Sequence, residues 1–131
     1  MPSLSSFEYA TIRIVPRVDR EEFINAGIVL FCLDQRFLDA AVHLDEARLH
    51  ALSPLTSPAS VRCHLQSFVG ISQGLADAGP IARLSARERF RWLTAPRSTM
   101  LQTSPVHSGL CESPQATLAH LLETLVAASQ K

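Results

Sequence analysis

The run Phe23-Ile24-Asn25-Ala26-Gly27-Ile28-Val29-Leu30-Phe31-Cys32-Leu33 constrains this chain more than any other stretch, because so much contiguous apolar surface has to be covered on every side. Ile28 to Leu33 is too apolar for a strand with one wet face, and it reads as a central strand packed on both sides. Asn25 and Gly27 interrupt the run at its mouth. Their spacing suggests a β-bulge or a strand entry, while Asn25 could also present an amide to a ligand that approaches the backbone at Gly27.

The flanking sequence supplies partners for such a strand. Phe7 to Val15 alternates, with Ala10, Ile12 and Ile14 on one side and Tyr9, Thr11, Arg13 and Val15 on the other, until Pro16 ends it. Arg17 to Glu22 is a charged connection. After the polar turn Asp34-Gln35, Arg36 to His43 is expected to return as a third strand, and connections this short imply an antiparallel meander. Met100 to Thr103 reads as a short fourth strand, and Ser104-Pro105 with His107-Ser108-Gly109 as a loop.

Helix starts are marked by side chains that can cap. Asp45 precedes a short helix with Leu49 and Leu52 on its buried side. Ser57-Pro58 opens a longer one carrying Val61, Leu65, Phe68, Val69, Leu75 and Ala76 on one face until Gly79-Pro80. Ser85 and Glu88 match a capping box ahead of Phe90 and Trp92. Ser113-Pro114 starts a last helix with the stripe Leu118, Leu121, Leu122, Leu125 and Val126. The expected fold class is α+β, an antiparallel sheet of three or four strands with helices mainly on one face and the C-terminal helix closing the core.

At 131 residues the chain suits one globular domain over 1–131, with 1–6 and 128–131 expected as flexible ends. Its apolar runs are about half the ~20 residues that cross a bilayer, so no membrane role is expected. The first residues lack the basic and apolar regions of a signal peptide, which points to the cytoplasm. Cys32, Cys63 and Cys111 are isolated from one another and predict free thiols. Net charge is zero but uneven: Met1 to Glu46 holds eight acids against four arginines, and Ala47 to Cys111 seven arginines against two acids. This disfavours a nucleic-acid partner overall while leaving room for a local basic face.

Three groups of residues could carry function. Asn25 and Gly27 form the first, with Glu22 beside them and Arg13 on the neighbouring strand. Second is the arginine-rich stretch from Arg83 to Arg97, where Arg97-Ser98-Thr99 follows Pro96 directly and could hold an oxyanion; the plainer reading has arginine stems covering Phe90 or Trp92. Third are His107 and Cys111 near Ser104, a conceivable base and thiol nucleophile whose geometry sequence proximity cannot establish. The five histidines show no metal-ligand spacing, and there is no phosphate loop or nucleophile elbow, so neither a catalytic residue, a metal nor a cofactor is assigned.

Several stretches carry a family likeness: Tyr9 to Pro16, Glu22 to Leu30, Arg89 to Thr99, and Ser104 to Gly109. Together they resemble a bacterial family known as domain of unknown function 3037, over Phe7 to Val126, with Ser113-Pro114 standing where Asp-Pro is the family expectation. The resemblance implies a small bacterial protein of no assigned activity, encoded beside kinases of the HipA type, and hence a partner of such a kinase rather than an enzyme. The expectations are thus an interaction module for a HipA-like kinase, alternatively an anion or nucleotide site for a phosphate-bearing ligand built from Asn25, Arg97 and Ser98, and lastly a cysteine enzyme using Cys111 and His107. The residues expected to bind a ligand or partner are Arg13, Glu22, Asn25, Gly27, Arg97, Ser98, Ser104 and His107, and a two-fold homodimer is the expected oligomer.

Overall fold

A computed structural model describes residues 3–127. Five strands form one antiparallel sheet: β1 (Ser5–Ile14), β2 (Ile24–Cys32), β3 (Phe37–Val42), β4 (Leu101–Thr103) and β5 (His107–Cys111). The order is β3-β2-β1, after which β4 and β5 share the far side of β1, β4 along Ile12 to Ile14 and β5 along Ser5 to Tyr9. The first three strands are the expected meander. The sheet has one strand more than expected, since His107–Cys111 is β5 and not loop. Serine and glycine give that segment little strand propensity, and the unpaired stretch of β1 beneath Thr11 is what recruits it. Ser5 and Ser6 already belong to β1, while 1–2 and 128–131 of the expected loose ends lie outside the described residues.

All four capped helices begin where their side chains allow. They are α1 (Glu46–Leu52), α2 (Pro58–Gln73), α3 (Ala86–Thr94) and α4 (Pro114–Leu125), and Asp45, Ser57, Ser85 and Ser113 each accept the N–H three residues on. The Ser85 and Glu88 capping box is complete in both directions. One helix ends early. Gly74, at φ 68, closes α2 by donating its N–H to Gly70 O and Ile71 O, so Leu75 and Ala76 fall beyond the helix and are exposed.

Helices lie mainly on one face. There α1, α2 and α3 bring Leu49, Val61, Leu65, Phe68, Phe90 and Leu93 onto Ala10, Ile12, Ile14, Ala26, Val29 and Phe31. The C-terminal helix α4 closes the opposite face with Leu118 on Ile28, Leu30 and Cys32. Strand β2 is therefore buried on both sides, as its composition demands.

The interruption at Asn25 and Gly27 is a bulge. Ile12 pairs with Gly27 but Arg13 pairs with Asn25, so Ala26 is the extra residue of β2. It reverses the alternation of everything before it. Val29 and Phe31 face α2 and α3, as do Ala26 and Ile24; Asn25 is thereby turned toward the α4 side, where Arg13 stands. Gly27 serves packing, since a Cβ there would lie 2.7 Å from Ala41 O and 2.9 Å from Val42 Cγ1 on β3.

Candidate functional site

The bulge builds a pocket on the α4 side of the sheet. Helix α4 packs on β2 and β3, leaving the β1 end of that face to the 15–23 connection and the segment that leads into β4. Between them lies a cavity of about 360 Å³, lined by Arg13, Val15, Phe23, Ser98 and Gln102 with Val18, Asp19 and Glu21 at its rim. The Arg13 guanidinium carbon lies 4.1 Å from the centre of the Phe23 ring. That stack supports the flat guanidinium without engaging its donors. Arg13 Nε is buried and has no hydrogen-bond partner among the described residues.

The rim acids are unequal. Arg17 holds Asp19 through two bonds, Nε to Oδ1 at 3.3 Å and Nη2 to Oδ2 at 2.8 Å, and those bonds draw the Asp19 carboxyl below its ordinary pKa. Glu21 stands at φ 56, a left-handed conformation uncommon outside glycine, and no ion pair neutralises it among the described residues. Among the described residues the pocket therefore offers one free cation at its floor and one free acid at its rim.

The other expected residues are distributed as follows. Ser98 lines the Arg13 pocket, but Arg97 turns to the opposite side of its loop. There its guanidinium carbon lies 4.5 Å from the centre of the Trp92 ring, with Nη2 donating to Trp92 O and Nε to Ala95 O. It borders a second, more apolar hollow of about 280 Å³ with Phe68, Ile71, Met100 and Leu101. Strand alternation continues the partition, since Gln102 faces the first cavity and Leu101 the second. Asn25 donates Nδ2 to Leu125 O at 3.3 Å, satisfying one of the carbonyls that the end of α4 leaves free.

Glu22 is bound by Arg20, Nε to Oε1 at 2.6 Å and Nη2 to Oε2 at 3.2 Å, a bond that draws its carboxyl below the usual range. Ser104 is buried, and its Oγ accepts the Thr11 N–H at 2.9 Å and donates to Pro105 O at 2.9 Å. Where β1 changes partner from β4 to β5, this Oγ takes the place of a ladder carbonyl for Thr11, and the Ser104 N–H donates to Thr11 O at 2.9 Å. His107 lies on β5 with its ring 5.3 Å from that of Tyr9. Of the expected set, then, the fold brings Arg13 and Ser98 together, and gives Asn25, Gly27, Glu22, Arg97 and Ser104 partners elsewhere.

His107 and Cys111 are four residues apart on one strand, about 13 Å, far beyond hydrogen-bond reach. Cys111 is buried, and burial pushes its thiol above the ordinary value of 9.0, opposite to what a thiolate nucleophile needs. Cys32 is buried, whereas Cys63 is exposed on α2. Among the described residues no group of three histidines, cysteines or carboxylates is placed to hold a metal, and no helix is long and apolar enough to cross a membrane.

Phe23 and Gln102 were missed as pocket residues. The signal was present for Phe23: once Asn25-Ala26-Gly27 is taken as a bulge, residues 23 and 25 must face the same way as Arg13. Gln102 had no such marker.

Among the described residues, fold and pocket together define an α+β architecture of five strands and four α-helices with an arginine-floored cavity at the mouth of β2. A family model described as "Protein of unknown function (DUF3037)" matches residues 9–126, and the chain belongs to that family. No match is found among curated proteins or among solved structures.

Proposed function

We infer that this chain is a protein-interaction module that receives an acidic side chain of its partner in the Arg13 pocket, and that the partner is a HipA-like kinase. The observation that supports the pocket is the buried, unpartnered Nε of Arg13 beside an open cavity. Leaving such a donor without a partner costs about 1–3 kcal/mol, which an incoming carboxylate would recover through charge-assisted bonds. Ser98 adds a hydroxyl on the same wall, and Gln102, whose Nε2 donates one N–H to Thr99 O at 2.9 Å, has a second N–H beside it. The unneutralised Glu21 at the rim opposes a polyphosphate more than a single carboxylate, which favours a protein side chain over a nucleotide. The choice of kinase rests on the family resemblance alone.

Co-expression with a HipA-like kinase encoded beside the gene, followed by co-purification, tests the reading. The wild type is expected to be retained, and Arg13→Met to lose at least about tenfold in affinity. A complex that forms equally well with Arg13→Met would remove the pocket from the account. Failure of the wild type to associate at micromolar concentration would remove the kinase.

A second reading, a small-anion or nucleotide site, draws on the same cavity. It would use Arg13 and Ser98 in place of Asn25 and Arg97. Calorimetric titration with inorganic phosphate and with a nucleoside triphosphate separates the two, since the interaction module is expected to bind neither tightly.

A further inference from the structure

The two edges of the sheet are finished differently. On β3 the ladder alternation turns the backbone groups of Leu38, Ala40 and Val42 outward. The Ala40 N–H is taken by the carboxylate beside it, Asp39 Oδ1, at 2.8 Å, and the same oxygen accepts from Gln73 Nε2 of α2 at 3.1 Å. A charged side chain thus blocks the middle of that edge, a common means of keeping an edge from pairing.

Strand β5 carries no such block. On this side of β1, Thr11 exchanges bonds with Ser104, and the Val15 N–H donates to Met100 O, so the odd-numbered residues of β1 bond toward β4 and β5. Alternation then makes Phe7 and Tyr9 the bonded partners of Gly109 and His107, and the N–H and C=O groups of Ser108 and Leu110 point away from the sheet. His107 to Cys111 contains no charged residue. Leu110 is 65% exposed and Val106, just before the strand, 42%. Their even spacing puts both on the side of the strand that carries Ser108, midway between them.

We propose that β5 pairs with β5 of a second copy of this chain, antiparallel, about a two-fold axis at Ser108. In that register Ser108 stands opposite its own equivalent, and Leu110 stands opposite Val106 of the second copy, twice by symmetry. Both exposed apolar side chains are matched. An axis at Gly109 would instead set Val106 against Glu112, and an axis at Leu110 would leave Val106 unmatched. This self-match about Ser108 is what selects a second copy over an unrelated strand. The seam brings together no charged side chain within β5, and the chain's zero net charge adds no long-range repulsion. Because the seam is short, the dimer dissociates on dilution.

The test uses a Cys63→Ser background, which removes the exposed native thiol. Ser108→Cys is expected to form a disulfide-linked dimer on mild oxidation, since directly opposite bonded residues have Cα atoms about 5.5 Å apart, within disulfide range. His107→Cys, which this register places opposite Gly109 and on the other side of the strand, is expected to stay unlinked. Sedimentation of the cysteine-replaced parent should show a concentration-dependent dimer, which Leu110→Lys weakens at least about tenfold. Position 110 is exposed enough for that variant to keep the parent's circular dichroism melt. A Ser108→Cys chain that stays monomeric, equal linkage through His107→Cys, or undiminished association of Leu110→Lys would each overturn the proposal.

Discussion

Arg13 and Arg97 each lay a guanidinium over an aromatic ring, yet the rest of their surroundings are opposed. Arg97 donates to two backbone carbonyls at the end of α3, and its guanidinium lies over the ring of the half-exposed Trp92. Arg13 leaves a buried Nε without a partner and opens onto a polar cavity. An arginine beside an aromatic is therefore not yet a binding site. What separates the two cases is whether the fold already fills the donors: Arg97 closes a helix end, whereas Arg13 keeps a capacity that packing alone does not need.

The comparison depends on the bulge that aims residues 23 and 25, so the largest expected effect lies there. Gly27→Ala drives a Cβ into the Ala41 carbonyl and should lower stability by about 2 kcal/mol or more in denaturant unfolding. A neutral result would mean that β3 can retreat and that Gly27 is free for a ligand. Next comes Arg97→Ala, expected to cost about 1 kcal/mol while leaving partner affinity within about twofold, and to change the emission of Trp92, the chain's one tryptophan. Loss of binding without loss of stability would exchange the roles of the two arginines. Ser98→Ala should weaken partner binding about two- to threefold, as for one neutral donor, with no change in unfolding.

The smallest effect concerns a thiol that would place chemistry in neither region. Cys111 has its folded pKa raised by burial, so its contribution to stability is complete below about pH 9 and declines as pH rises beyond the unfolded value. Thermal midpoints should therefore be level to pH 8 and drop above 9, and Cys63 alone should react quickly with an alkylating reagent. Rapid modification of Cys111 would reopen a role for it.

Much of this architecture could be read from residue patterns. Asp45, Ser57, Ser85 and Ser113 announced their helices because a cap is a local event within four residues. The doubly covered β2 followed from Ile28 to Cys32 for a similar reason, since no strand with a wet face tolerates that run, whereas Leu33, expected in the same strand, lies beyond it and is exposed. Strand β5 was illegible because its pairing is set by the vacant stretch of β1 about a hundred residues earlier, not by its own serine and glycine. The end of α2 was misplaced because apolar spacing continued through Leu75 after Gly74 had already turned the chain. For the site, Arg13 and Ser98 were recognisable as chemistry. Which of the neighbouring polar groups would already be engaged by a helix end or a salt bridge, as Asn25, Arg97 and Glu22 are, depends on contacts between distant segments.

The most direct measurement sets Arg13→Met beside Arg97→Met in thermal unfolding and in affinity for the proposed kinase partner. Arg13→Met removes a buried unpaired donor and keeps a stem over Phe23, so its midpoint should equal or exceed the wild type while affinity falls at least about tenfold. Arg97→Met should show the reverse, a lower midpoint with binding retained. An Arg13→Met protein that melts several degrees lower and still binds would contradict the account, since it would make Arg13 a packing residue like its counterpart.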